Sequence, residues 1–286
     1  MARGPHRVDP SSPAMFKDIL VVLEGNPEAV AFALSFARRF GADVTAVCAK
    51  GDFVIDAVAS AQTRYDFILA GRPQASETAL RSLGEFGAAA RQAGVVAHTP
   101  ALDELEAAEI WDAARFARCF DLILLEQRDP RRSRPGGASI ASLLAESGRP
   151  VLATPFIHKG PASFDRVLVA WDASASAARA LANAMPILKQ AGAVEIATVT
   201  PPQAGEAPPH GASVLRHLSR HGIAATFRTI PSEIDAGNML LSHVADSGAD
   251  LLVAGGYGHS RFSETILGGV TRTLLESMTI PVFMAH

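Results

Sequence analysis

The feature that most constrains this chain is that it repeats itself. Phe16-Lys17-Asp18-Ile19-Leu20-Val21-Val22-Leu23-Glu24 is echoed by Phe164-Asp165-Arg166-Val167-Leu168-Val169-Ala170-Trp171-Asp172, an apolar run ending in an acid. Helical sequence follows each run, over 27–40 and 174–190, and then a second apolar strand, over 42–48 and 193–200. Late in each copy, Asp121-Leu122-Ile123-Leu124-Leu125 matches Asp250-Leu251-Leu252-Val253-Ala254, and both copies end in a Leu-Leu helix running into a Pro-Val strand. A repeat of this length implies two copies of one folding unit. With 286 residues, two domains of about 140 fit the usual domain size.

Within each copy, strands and helices alternate, and the strands are continuous apolar runs. That pattern specifies a parallel sheet with helices on both faces. Right-handed crossovers make it doubly wound, with a ligand crevice at the carboxyl ends of the strands. The expected fold class is therefore α/β, with two doubly wound Rossmann-like domains. In the first copy, helices are expected at 75–92 and 102–117 around a strand near 95–99. In the second, helices are expected at 211–222 and 235–245 around a strand at 223–230. The first copy carries an additional packed piece at 51–71, and 155–163 is a linker rich in proline, glycine and small residues. Residues 1–14 are polar and proline-rich and are expected to be a disordered tail or tag, leaving domains at 15–156 and 164–286.

The candidate chemistry lies in the second copy. The strand Leu251-Leu252-Val253-Ala254 runs into Gly255-Gly256-Tyr257-Gly258, and a second glycine pair, Gly268-Gly269, opens a helix. Glycines let main-chain N–H groups approach a bound group closely. A helix start offers unpaired N–H donors and partial positive charge, and the two together suit a phosphate. Asp172, at the end of the first strand, can accept hydrogen bonds from an adenine amino group or a ribose hydroxyl, or can cap the helix that follows.

The second copy resembles a universal stress protein domain, and the whole chain a tandem of two. ATP-binding members of that family carry G-x2-G-x9-G-[ST] after the fourth strand, and Gly255, Gly258, Gly268 and Gly269 stand at that place. The resemblance implies an adenine-nucleotide α-hydrolase-like fold with five parallel strands per domain, and pairing of the last strands into a pseudo-dimer. It also implies a nucleotide held by named residues. Asp172 would meet the adenine and ribose side, with Ala170 and Val199 lining the base pocket. Ala254, Gly255 and Gly258 would carry the loop around the phosphates, joined by the amides of Gly268, Gly269 and Val270. His259 would lie in the loop within reach of a phosphate. Gly269 stands where the family has a hydroxyl, and Thr271 is the residue placed to compensate. Trp171 replaces a small residue and would either stack on adenine or fill the pocket. The implied ligand is ATP or another adenine nucleotide, with Mg and no dedicated protein metal site. The implied role is stress-related regulation in the cytoplasm through a protein partner, with further homodimerisation open.

The first copy has lost the glycines. Glu126-Gln127-Arg128-Asp129-Pro130 stands in their place, and the cluster Arg128, Arg131, Arg132 and Arg134 is read as a solvated loop, with Glu24 structural. No G-x4-G-K-[ST] occurs, and the four lysines, Lys17, Lys50, Lys159 and Lys189, lie outside the glycine loop, which argues against P-loop phosphoryl transfer. Arg261 and Arg272 are the alternative sources of positive charge. His217 and His221 lack further ligands and are expected to be surface residues. No catalytic residue is assigned. Asp121 and Asp250 are expected to serve at strand starts, and Cys48 and Cys119 to be small buried thiols. The net charge of −3 argues against nucleic acid, and no apolar run is long enough to span a membrane. Two alternatives remain: a scaffold that binds no nucleotide, and a slow ATPase assisted by Asp172 or His259.

Overall fold

The computed structural model describes residues 16–48, 72–98, 113–127, 140–202, 210–256 and 269–286. The first half contains β1 (Asp18–Leu23), α1 (Pro27–Phe40), β2 (Asp43–Cys48), α2 (Arg72–Ala93), β3 (Ala97–His98), α3 (Ala113–Ala117), β4 (Leu122–Glu126), α4 (Ile140–Glu146) and β5 (Val151–Thr154). The second half contains β6 (Arg166–Ala170), α5 (Ala175–Leu188), β7 (Ala193–Thr200), α6 (Gly211–Arg220), β8 (Ala225–Pro231), α7 (Ala236–Ser247), β9 (Leu251–Gly255), α8 (Gly269–Ser277) and β10 (Val282–Ala285). The strands form one sheet in the order β3-β2-β1-β4-β5-β10-β9-β6-β7-β8. Every pairing within a half is parallel, and the halves meet where β5 and β10 pair antiparallel, with Phe283 opposite Leu152.

Local chemistry explains the helix ends. Asn26 caps α1 by accepting the Glu28 amide, Pro27 opens it, and Gly41 closes it in the left-handed region. Ser174 caps α5 by accepting the Ala177 amide, and Asp235 caps α7 by accepting that of Asn238. The turn before each first helix uses a positive φ at matching places, Gly25 (93°) and Ala173 (60°), and Ala173 is the only such non-glycine among the described residues. For an alanine that conformation costs about 1–2 kcal/mol.

Side chains alternate between the two sheet faces, and each face has its own core. One face packs α1, α2, α5 and α6 over Ile19, Val21, Val44, Val167, Val169 and Ile196. The other packs α3, α4, α7 and α8 over Leu20, Val22, Ile123, Leu168, Ala197 and Leu252. This is the doubly wound arrangement. At the seam the first core is aromatic: Phe16 lies 5.4 Å from Phe40 and 6.5 Å from Phe283, and Phe36 lies 5.6 Å from Phe164. Arg39 covers Phe164 at 5.4 Å and donates to Gln190 Oε1 at 3.0 Å, tying α1 to the end of α5.

At the amino edge the two halves use one device. Asp121 Oδ2 accepts the amides of Lys17 (2.7 Å) and Asp18 (3.1 Å). Asp250 accepts those of Asp165 (2.8 Å) and Arg166 (3.0 Å), together with the Ser163 hydroxyl (2.9 Å). The two acids do serve at strand starts.

Some expectations need correction. Cys119 is exposed and Cys48 only half-buried, because Cys119 falls in the turn after α3 and not in an element. Burial, with Glu24 nearby, pushes the Cys48 thiol up to about 11. Of the strand expected near 95–99, the described residues show Ala97–His98 paired with β2, and Val96 before it is exposed. The 51–71 piece, residues 1–14, most of the 102–117 helix and the arginine cluster lie outside the described residues.

Candidate functional site

In the second half the chain leaves β6 toward β7 and β8, then crosses back to place β9 on the other side of β6. The topological switch therefore falls between β6 and β9, where open α/β sheets form a crevice at the carboxyl ends of their strands. Trp171 and Asp172 follow β6, Ala254 and Gly255 end β9, and Val199 lies near the end of β7. Gly269, Val270 and Thr271 open α8, which returns from that edge toward the start of β10. The topology thus collects nine of the expected residues at one edge. Gly258, His259 and Gly268 lie outside the described residues.

Ala170 and Val199 are half-buried on the α7–α8 face, alongside Ile230 and Leu241. Together they form an apolar patch at the ends of three adjacent strands. Trp171 packs into the opposite core, with Leu215 and Phe227 among its fellows. Its ring therefore does not fill the hollow beside Ala170. In the repeat it is the counterpart of Leu23, which is also buried on that face. Its main chain is clamped to β7: Trp171 N donates to Ala197 O at 2.8 Å, and Thr198 Oγ1 donates to Trp171 O at 2.6 Å. The indole Nε1 is buried without a hydrogen-bond partner.

Asp172 is exposed and does not cap α5. Its Oδ1 accepts the Ser174 amide at 2.9 Å in an Asx turn, and Ser174 is the cap. Gly255 has a packing reason of its own. A Cβ there would stand 2.5 Å from Ala177 N and 2.7 Å from Ser176 C, so the missing side chain admits the first turn of α5 against β9. Gly269 is the opposite case: a Cβ there would meet nothing within 4 Å among the described residues. Val270 is exposed, and Thr271 is buried at 3% exposure under its own helix.

Three helix starts face this edge from the switch region, and their capping differs. Ser174 satisfies α5, and Asp235 satisfies α7 with a carboxylate that the Asn238 hydrogen bonds hold below its usual range. The described part of α8 begins at Gly269.

The same edge of the first half is built differently. Glu126 occupies the position matching Gly255, is buried at 8% exposure, and accepts from Asn26 Nδ2, the cap of α1. A carboxylate therefore sits where the second half has no side chain. Sequence reasoning saw only a lost glycine here, because the Asn26 contact joins residues a hundred positions apart. It also missed Thr198, Ser174 and Gln127. A Ser-x-Ser pair at 174–176 was the one local signal available. Among the described residues no group of three His, Cys, Asp or Glu could hold a metal. His217 and His221 meet edge to face, with ring centroids 4.8 Å apart.

Residues 163–286 match the model of the Universal stress protein family. No curated protein sequence matches the chain. Among solved structures, a universal stress protein from Archaeoglobus fulgidus is similar at 19% identity and a TM-score of 0.63, covering 94% of this chain and 95% of its own. A functionally unknown protein from Pseudomonas aeruginosa PAO1 is similar at 15% identity and 0.59, covering 96% and 94%. At these identities the likeness is one of fold. The family match thus falls on the second half of the chain, and the likeness in fold extends over both halves.

Proposed function

We propose that the domain at 164–286 binds an adenine nucleotide, ATP by preference, at the carboxyl edge between β6 and β9. The observation that carries this reading is the topological switch between β6 and β9, with the start of α8 and the apolar patch of Ala170 and Val199 at the same edge. The patch of Ala170 and Val199 would take the base, and Asp172 the ribose or the adenine amino group. The amides from Gly268 to Val270 would hold phosphates, with the loop carrying Gly258 and His259 closing over them. Mg would travel with the phosphates, without a protein ligand set. No group is assigned as a general base, so the domain binds and does not turn over.

The domain at 15–156 is a degenerate copy, lacking the glycines of the second. The two domains form an intramolecular pseudo-dimer through β5 and β10, and the nucleotide state of one would be reported to a protein partner in the cytoplasm during stress. Isothermal calorimetry with ATP and AMP tests the proposal. Binding in the micromolar range is expected, weaker for AMP. Absence of heat at millimolar nucleotide would leave the scaffold reading in its place.

A further inference from the structure

Gln127 stands immediately after β4, in the first half, yet its side chain ends in the second. Its Nε2 donates to Leu275 O at 2.8 Å and to Glu276 O at 3.0 Å, two carbonyls in the last turn of α8. The last carbonyls of a helix have no partner within it. Gln127 is 5% exposed, so water does not replace these bonds. Its main chain is fixed in turn, N to Thr154 O on β5 at 2.7 Å. The other amide atom, Oε1, is buried and unpartnered. Reversing the amide would set an oxygen against two carbonyl oxygens, so the orientation with the donors forward is the one the site dictates.

The link runs in one direction. The repeat counterpart of Gln127 is Gly256, whose N donates to Ala285 O at 2.9 Å just as Gln127 N does to Thr154 O. Gly256 offers no side chain. A Cβ there would stand 2.5 Å from Cδ2 of Leu144, the α4 residue matching Leu275. The first half therefore grips the helix of the second through two hydrogen bonds, and at the matching position among the described residues Leu144 of the first half meets Gly256, which has no side chain to return the grip.

We propose that Gln127 is a positioning residue for the nucleotide site, acting through α8; this rests on the reading above. The helix is nine residues long, about 13.5 Å at 1.5 Å per residue, and helices that short depend on tertiary contacts to form. Its start presents the phosphate-binding amides, and its end is held by Gln127. Releasing the end loosens the start, without touching any residue that meets the ligand.

The test compares wild type with Gln127→Leu, which keeps the volume and removes the donors, and Gln127→Glu, which sets a carboxylate against the two carbonyls. ATP and adenosine are titrated by calorimetry, and amide hydrogen exchange is followed at 270–273 and along β9. The expected result for Gln127→Leu is a roughly tenfold loss in ATP affinity, from the two bonds removed, with adenosine affinity kept and exchange faster in α8 alone. Gln127→Glu should lose more. Unchanged ATP affinity and unchanged α8 exchange in both variants overturn the proposal. So does an equal loss for ATP and adenosine, which marks a general structural role. If wild type itself binds no ATP, the site reading fails separately. Exchange then decides Gln127: faster exchange confined to α8 upholds the link, and unchanged exchange ends it.

Discussion

Gly255→Ala tests the geometry of the crevice most directly. The added methyl would lie 2.5 Å from Ala177 N, 2.7 Å from Ser176 C and 2.7 Å from Ser176 Oγ. Ordinary carbon contacts lie near 3.5–4.0 Å, so the first turn of α5 must retreat by about 1 Å. Two of the three obstructing atoms are main chain and cannot rotate aside. The helix resists as a unit, because Ala177, Ala180, Leu181, Ala184, Ile187 and Leu188 are all buried along it. Overpacking of this kind typically costs about 1–3 kcal/mol, and the rigid obstruction argues for the upper part of that range. Gly269→Ala is the matched control at the other end of the same loop, where the new methyl meets nothing within 4 Å among the described residues. It should be neutral, or slightly stabilising through helix propensity, by less than about 1 kcal/mol. Urea unfolding followed by far-ultraviolet circular dichroism gives both values without nucleotide. A Gly255→Ala variant within about 0.5 kcal/mol of wild type, or an equal cost at both glycines, would refute the argument that α5 seats against β9 through a missing side chain.

Gly269→Ser restores a hydroxyl at the start of α8. One hydrogen bond to a charged group is worth about 1.5–3 kcal/mol, so ATP should bind roughly ten- to a hundredfold more tightly by calorimetry; unchanged affinity would mean that no phosphate reaches this end. Asp250→Ala removes the acceptor of three hydrogen bonds and Asp121→Ala that of two; both should destabilise by about 1–3 kcal/mol in urea, Asp250→Ala by more. His158, on the linker and edge-on to Phe32 at 5.1 Å, has its pKa lowered by burial, opposed by Gly160 and Glu28. A group that prefers its neutral form when folded stabilises fully above its unfolded pKa, about 6.5, and loses that contribution as pH falls through the lower folded value. Melting temperature should therefore decline more steeply below pH 6.5 in wild type than in His158→Phe, and parallel profiles would count against it.

What the sequence disclosed was whatever local chemistry dictates. Helix α1 fills the expected 27–40 because Asn26, Pro27 and Gly41 mark its ends, and β7 fills 193–200 because its apolar run is continuous. The five parallel strands in each half and the pairing of β5 with β10 were implied by the family resemblance, and the roles of Asp121 and Asp250 by their place before buried strands. Less legible were contacts set by three-dimensional proximity. Trp171 looked like an occupant of the base pocket because residue type alone does not fix the sheet face; its pairing beyond Ala170, opposite Thr198, does. Asp172 looked like a cap, but the positive φ of Ala173 carries the turn one step further, to Ser174. At Gly255 the α5 contact adds a packing demand that residue type alone does not reveal.

The distribution of differences between the halves is itself informative. At the amino edge both copies keep an aspartate that ties the fourth strand to the start of the first. At the carboxyl edge they part at two adjacent positions, Glu126 against Gly255 and Gln127 against Gly256. Each substitution has a distinct physical consequence. Glu126 reaches its own half's helix cap, whereas Gln127 reaches across the seam to the helix of the other. Drift limited only by the need to fold would scatter over both edges, since capping and packing demands are similar at each. Doubly wound sheets bind ligands at the carboxyl edge, so differences should gather there if one copy surrendered its crevice and became a support for the other. Glu126→Gly alone should then fail to open the first crevice to ATP, because it removes the partner of Asn26 without supplying a glycine loop, and should cost stability at α1 instead.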